Sequence, residues 1–165
     1  MKVFLVRHAD AIDLDSEGVI SEEYRYITNK GRIATKNVAK FLKDQEDFIS
    51  VEKYFSSPYT RAVQTAEIFA SSLKFPGELA LAEELQSGGS IAGVSKFLKR
   101  NSGFGAIAIF GHEPMMSLII ASLSDKKQPG FEFKKSGVAL IDFKDPNEAG
   151  KFKWFLNPKK LEFNY

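Results

Sequence analysis

Cysteine is absent from the 165-residue sequence, so disulfide bridges and thiolate metal sites are excluded. Long hydrophobic runs are absent too, because no apolar stretch approaches the length needed to cross a bilayer. The first residues also lack the basic stretch and apolar core of a secretory signal. These absences lead us to expect a cytoplasmic protein that is not attached to a membrane.

An excess of charge of one sign is missing as well. The 23 Lys and Arg residues nearly balance 21 Asp and Glu residues, for a net charge of +2. So small an excess gives no reason to expect nucleic acid or an anionic membrane as a partner, and the pair Lys159–Lys160 is interpreted as solvated loop charge. A hydrophobic content of 44% is ordinary for a globular protein, and the length predicts a single domain over residues 1–165.

Short apolar runs alternate along the chain with helical patterns. Strand-like runs occupy 2–6, 51–56, 79–85, 106–110, 138–143 and 152–156. Helical spacing of apolar residues occupies 33–42, 62–73, 91–98 and 115–123. Thr28 is predicted to cap the first helix, and Ser57 to cap the second with Pro58 at its first position. The alternation predicts an α/β fold, a three-layer α/β/α sandwich around a mostly parallel sheet.

Only two histidines are present, and each stands just after a predicted strand. His8 follows Arg7 at the end of the first strand, and His112 follows the fourth. Arg61 lies in the first turn of the helix after the second strand. Because ligands of such sheets bind at the carboxyl ends of the strands, we expect these four side chains to converge. A cluster of cations is stable around an anion, and paired guanidinium donors with helix N-termini suit phosphate.

Less specific explanations exist for parts of this cluster. The two histidines could share a metal ion, but no third ligand stands at a recognisable spacing. Either arginine, taken alone, could be the partner of a surface ion pair. Ser57 could cap its helix rather than contact phosphate, and capping is the simpler role.

Several separated motifs resemble the histidine phosphatase superfamily. They are RHADA after the first strand, SSPYTRAVQTAE after the second and GHEP after the fourth. The short chain and the segment YITNKGRIA are similar to the compact SixA-type phosphohistidine phosphatases. The resemblance spans nearly the whole chain and implies a phosphoglycerate mutase-like fold.

The resemblance implies a hydrolase that needs no metal or other cofactor. His8 would attack phosphorus through one ring nitrogen, while the other donates to a backbone carbonyl. Arg7, Arg61 and His112 would hold the phosphoryl oxygens, and water would hydrolyse the intermediate on His8. Arg25 matches a basic position of the family and either rims the phosphate pocket or is an ordinary solvated charge.

The general acid that larger relatives use is less well defined. Glu84, in EELQSGG, is the best local match, and Glu83, Asp10 and Glu113 compete with it. An enzyme with a weak acid should favour leaving groups such as imidazole, whose pKa is about 6.5. The loop 9–26 is rich in Asp and Glu, so one wall of the mouth is expected to be acidic and to disfavour highly anionic substrates.

We therefore expect a phosphatase whose substrate is phosphohistidine on another protein. A small-molecule phosphomonoesterase with the same site is the enzymatic alternative. A phosphate-dependent binding module, which would hold a phosphorylated partner without turnover, is the alternative from another class. Retention of a nucleophile argues against the binding module.

Overall fold

A computed structural model describes residues 1–45, 48 and 50–165. The strands are β1 Lys2–Arg7, β2 Lys53–Ser56, β3 Leu79–Leu81, β4 Ala106–Gly111, β5 Val138–Asp142, β6 Lys151–Asn157 and β7 Glu162–Asn164. The α-helices are α1 Asn29–Leu42, α2 Thr60–Leu73, α3 Ile91–Arg100 and α4 Met115–Leu123. Two short 3-10 turns cover Glu22–Tyr24 and Glu83–Leu85. No helix in this part of the chain is long and apolar enough to cross a membrane.

One mixed sheet, with the strand order β3-β2-β4-β1-β5-β6-β7, contains all of these strands. The first four strands of the chain pair in parallel, because the connections between them contain the crossover helices α1, α2 and α3. β5 pairs antiparallel with β1, β6 with β5 and β7 with β6. Short connections join β5 to β6 and β6 to β7, as antiparallel neighbours allow. β1 and β4 lie side by side at the centre of the sheet, so their carboxyl ends adjoin.

Two apolar clusters cover the two faces of the sheet. Alternate residues of β1 point to opposite faces, Val3 to one cluster and Phe4 to the other. Phe97 of α3 and Ile119 of α4 belong with Val3, whereas Phe69 of α2 belongs with Phe4 and the buried residues of α1. The α/β sandwich expected from the alternating patterns is therefore confirmed.

Several element boundaries differ from the predictions. β3 ends at Leu81, because residues 83–85 turn into a 3-10 helix instead of extending the strand. β7 was not predicted, since three residues carry too little pattern to be recognised. Thr28 does cap α1, with its hydroxyl accepting from the Gly31 amide at 3.0 Å. The predicted Ser57 cap is wrong, because α2 begins at Thr60 with Tyr59 in the capping position.

Candidate phosphate-binding site

His8 is the first residue beyond β1 and is almost fully buried. Its backbone amide donates to the carbonyl of Gly111 at 2.9 Å, which ties the end of β1 to the end of β4. The ring Nδ1 lies 2.7 Å from the carbonyl oxygen of Ala9. A carbonyl can only accept, so Nδ1 carries the proton and Nε2 holds the lone pair. The expected hydrogen bond from His8 to a backbone carbonyl is thus present.

The electrostatic surroundings keep His8 neutral. Burial, assisted by the charges of Arg61, Arg7 and Lys135, lowers the pKa of His8 from 6.5 to about 3. The hydrogen bond to Ala9 opposes that shift without cancelling it. A neutral imidazole with a free Nε2 is a competent nucleophile at physiological pH.

His112 faces His8, with ring centroids 5.0 Å apart. Its Nε2 lies 2.9 Å from the hydroxyl oxygen of Ser57, and its Nδ1 is buried with no partner among the described residues. Burial, followed by the charges of His8, Arg61 and Arg7, lowers the pKa of His112 to about 3. His112 is therefore neutral, and its unpartnered nitrogen is free for a ligand.

Arg7 ends β1 beside these rings. One terminal nitrogen donates to the carbonyl of Phe133 at 2.6 Å, and its buried Nε has no partner in the described part of the chain. Burial lowers the pKa of Arg7, whereas the nearby carboxylates of Glu113 and Glu132 raise it. The hydrogen bond to Phe133 fixes the guanidinium of Arg7 at one terminal nitrogen, and its Nε–H remains available to a ligand.

Arg61 enters from the first turn of α2 and is only 4% exposed. Its guanidinium donates to the backbone carbonyl of Glu22 at 2.6 Å and pairs with the carboxylate of that residue at 3.2 Å. The ring of Tyr59 lies 5.2 Å from the guanidinium carbon, and the Nε is buried and unpartnered within residues 1–45, 48 and 50–165. Arg61 therefore keeps a free donor despite its ion pair.

Three buried side-chain nitrogens thus lack partners within the described residues: Arg7 Nε, Arg61 Nε and His112 Nδ1. Buried polar atoms nearly always have a hydrogen-bond partner, so a cluster of exceptions indicates a site for a ligand rich in acceptors. The rings of His8 and His112 lie 5.0 Å apart, and the charges of both arginines contribute to the lowered pKa of each histidine, so the four residues are neighbours at one site. A phosphoryl group offers the charge and the acceptor oxygens that this volume lacks.

Two further candidates lie beside this cluster. Ser57 is fully buried, contacts His112 and also accepts from the Tyr59 amide at 3.3 Å. Arg25 donates to the carbonyl of Ile12 at 2.7 Å and pairs with Glu22 at 2.8 Å. Arg25 is therefore engaged with the loop and steadies the carboxylate that meets Arg61, and its place at the rim of the phosphate pocket stays a prediction.

Glu84 does not fit the role of general acid. Its carboxylate pairs with Arg100, the last residue of α3, and this hydrogen bond is the largest cause of the lowered pKa of Glu84. A proton donor needs a raised pKa instead. The physical reason is the 3-10 turn, which buries Leu85 beside Gly111 and leaves Glu84 against α3.

The other carboxyl candidates also differ in their surroundings. Asp10 pairs with Lys135 at 2.6 Å and accepts from Thr28, and the Lys135 hydrogen bond is the largest cause of its lowered pKa. Glu113 behaves in the opposite way, because burial raises its pKa although the Ser117 amide donates to it at 3.1 Å. Among the described residues no group of three or more His, Asp or Glu side chains is arranged to hold a metal ion.

Two supporting contacts were not predicted. The hydroxyl of Thr65 accepts from the Ala9 amide at 2.9 Å and donates to the carbonyl of Arg61 at 2.6 Å, so it joins the loop after His8 to α2. In the segment 133–136, the carbonyl of Phe133 accepts from Arg7, and the amide of Ser136 donates to the carbonyls of Arg7 and His8. Thr65 stands inside the SSPYTRAVQTAE motif and could have been found there, whereas the segment 133–136 belongs to none of the motifs.

Comparison with known proteins agrees with the fold and identifies the family. The family model for the histidine phosphatase superfamily (branch 1) matches residues 3–87. The chain belongs to the histidine phosphatase superfamily, a group of phosphatase enzymes. It is 30% identical over 164 residues to phosphohistidine phosphatase SixA of Escherichia coli (strain K12), covering 98% of this chain and 97% of SixA. The predicted SixA-type resemblance is therefore confirmed.

Solved structures show the same fold. The structure of the protein histidine phosphatase SixA complexed with tungstate matches with a TM-score of 0.86 and 29% identity. The match covers 98% of this chain and 100% of the SixA chain. A putative SixA from Agrobacterium tumefaciens follows with a TM-score of 0.78, 19% identity and coverage of 95% and 97%. A phosphoglycerate mutase from Bacillus anthracis str. Sterne, at 0.70 and 15% identity over 93% and 90%, shares the fold.

Proposed function

We propose that the protein removes phosphoryl groups from phosphohistidine on other proteins, through a covalent intermediate on His8. The observation that carries this proposal is the arrangement of His8 itself. Its Nδ1 is committed to the Ala9 carbonyl, and its Nε2 stays unprotonated beside three unused buried nitrogens. That arrangement suits in-line attack on a phosphorus atom whose oxygens take those positions.

In the first step, Nε2 of His8 forms a bond to phosphorus as the bond from phosphorus to the substrate nitrogen breaks. The electron pair of the broken bond stays on the substrate imidazole, which takes up a proton from solvent. The Nε groups of Arg7 and Arg61 would donate to the phosphoryl oxygens and stabilise the charge that develops. Two guanidinium groups supply the positive charge that this step needs.

His112 is suited to be a further donor to the phosphoryl group. If the Ser57 hydroxyl donates to Nε2 of His112, the proton of the neutral ring lies on Nδ1. The Tyr59 amide donates to the same hydroxyl oxygen, which leaves the hydroxyl hydrogen free to point at the ring. Ser57 would then be a positioning residue that selects the donor tautomer of His112.

In the second step, water attacks the phosphorus of the intermediate. The bond from phosphorus to Nε2 of His8 breaks, its electron pair returns to the ring, and inorganic phosphate leaves. Because the pKa of free His8 is only about 3, the ring is released neutral and ready for another cycle.

The leaving group favours a phosphoramidate substrate. Glu84 is paired with Arg100 and carries a lowered pKa, so it is poorly suited to protonate an alkoxide. Imidazole, with a pKa of about 6.5, departs with far less help. The likeness to SixA, named a phosphohistidine phosphatase, supports the same substrate class, and tungstate in a SixA structure is a tetrahedral oxyanion like phosphate.

A steady-state assay tests the proposal. Wild type and His8→Ala are compared on a phosphohistidine-bearing protein and on p-nitrophenyl phosphate, with a chelator present. We expect turnover of both in the wild type, a higher kcat/KM on the protein, and loss of both activities in the variant. Activity that survives in His8→Ala would show that another group is the nucleophile. A preference for the small ester would favour the phosphomonoesterase, and binding without turnover would favour the binding module.

A further inference from the structure

A cavity of about 350 Å³ opens next to the candidate phosphate site. Five cationic side chains line it: Arg7, Lys30, Lys134, Lys135 and Lys159. They come from four parts of the chain, namely the end of β1, the first turn of α1, the segment before β5 and the segment after β6. The near-zero net charge of the chain therefore conceals a strongly basic recess.

Two carboxylates in the same cavity offset part of this charge. Asp10 pairs with Lys135 at 2.6 Å, and Glu132 pairs with Lys134. Lys30 and Lys159 are exposed, and their ammonium groups have no ion-pair partner within the described ranges. Two lysines are thus left available to an external anion.

The cavity adjoins the phosphate site at Arg7. Arg7 belongs to both, and the charge of Lys135 contributes to the lowered pKa of His8. On the opposite side of the site, Glu23 and Glu83 line the recess beside Tyr59. The mouth therefore has a basic side and an acidic side, and the acidic loop does not surround it.

We propose that the cavity of Lys30, Lys134, Lys135 and Lys159 binds carboxylates that flank the phosphorylated residue of an acidic protein substrate. This inference rests on the proposed function, since it names the kind of protein on which the phosphatase acts. A second phosphate on a small molecule is a poorer occupant, because Asp10 and Glu132 stand inside the cavity. A carboxylate carries one negative charge where a phosphate carries about two, so Asp10 and Glu132 repel it less, and the two unpaired lysines are left to attract it.

The decisive experiment measures binding with a matched pair of peptides. Both carry a stable phosphoryltriazole analogue of phosphohistidine, and they differ only in having Glu or Gln on either side of it. We expect wild type to bind the Glu peptide about 10-fold more tightly at low ionic strength, because two or three exposed charge pairs are involved. The preference should shrink as salt is added.

Two double variants locate the effect. Lys30→Glu with Lys159→Glu should reduce the ratio of the two affinities to near one. Lys36→Glu with Lys40→Glu, on the exposed face of α1 and outside the cavity, changes net charge equally and should leave the ratio within about twofold of wild type. Because each ratio is taken within one protein, damage to the phosphate site cancels.

Equal affinity of the two peptides for wild type would overturn the inference. A preference that survives in the Lys30 and Lys159 variant, or that is lost equally in the Lys36 and Lys40 variant, would overturn it as well. Turnover of authentic phosphohistidine peptides is followed in parallel. If those peptides were not turned over while the preference for the Glu peptide remained, the proposed function would be refuted. The inference that the cavity binds carboxylates of an acidic partner would still hold.

Discussion

Replacing Ser57 with alanine removes one buried hydroxyl, which contacts His112 and accepts from the Tyr59 amide, and changes no other side chain of the phosphate site. The hydroxyl oxygen lies 2.9 Å from Nε2 of His112, which has no other described partner on either ring nitrogen. Without the hydroxyl, the Nδ1–H tautomer of His112 leaves a buried acceptor unpaired, at a cost of about 1–3 kcal/mol. Without the hydroxyl the preference for that tautomer is removed, so the proton distributes onto Nε2 and the Nδ1 donor to the phosphoryl group is partly lost.

That cost sets the size of the effect. Since 1.4 kcal/mol corresponds to a factor of 10, we expect kcat/KM of Ser57→Ala on phosphohistidine to fall by about 10–100-fold. The assay is steady-state turnover, and the ¹⁵N chemical shifts of His112 report which ring nitrogen carries the proton. A tautomeric shift is what distinguishes positioning of His112 from a merely structural loss.

Ser56→Ala is the matched control, because it deletes the same group one residue away. Ser56 is equally buried, but its hydroxyl donates to the carbonyl of Ser57 at 2.8 Å and does not touch His112. We expect Ser56→Ala to lose some stability and to keep the His112 tautomer. If Ser57→Ala matched Ser56→Ala in kcat/KM, or if Nδ1 of His112 kept its proton in Ser57→Ala, the tautomer argument would be refuted.

Three other predictions concern charge. The pKa values of His8 and His112 are lowered to about 3, so below pH 6.5 the unfolded chain binds more protons than the folded chain. The free energy of unfolding, measured by urea denaturation, should therefore fall as the pH drops from 6.5 towards 3. A flat profile would contradict both pKa shifts. Glu84→Gln should keep kcat within about twofold, because its half-exposed pair with Arg100 is worth only about 0.2–1 kcal/mol, and a loss beyond tenfold would restore Glu84 as the acid. Arg7→Lys should lower kcat/KM by about 100–1000-fold, since an ammonium has no counterpart of the unused Nε; near-normal kinetics would remove Arg7 from the transition state.

The four central residues of the site could be found from the sequence for a local reason. Each lies within a few residues of a strand end, and strand ends are visible as places where apolar runs stop. Arg7, His8 and His112 follow directly from that rule, and Arg61 follows because it stands in the first turn of the next helix. Parallel pairing of β1 with β4 and of β4 with β2 then brings their neighbourhoods together.

The general acid could not be assigned in the same way. Whether Glu84 faces the site depends on whether the chain around it is extended or turned, and a 3-10 turn of three residues leaves no periodic signal. Its partner Arg100 is 16 residues away, at the far end of a helix. The pairing of two long, flexible side chains is decided by the packing of that helix.

Apolar periodicity predicted the α/β layering, and the polar residues at strand ends predicted the place of the candidate phosphate site, because these signals are local and repeat with the geometry of the backbone. The family was recognised from the resemblance of the RHADA, SSPYTRAVQTAE and GHEP motifs. Tertiary structure alone decided which side chains meet across the chain. It directed Ser57 to His112 and placed Lys30 beside Lys159, 129 positions along the chain, at one cavity. Such contacts depend on how separate segments pack, and the order of the residues carries no periodic trace of them.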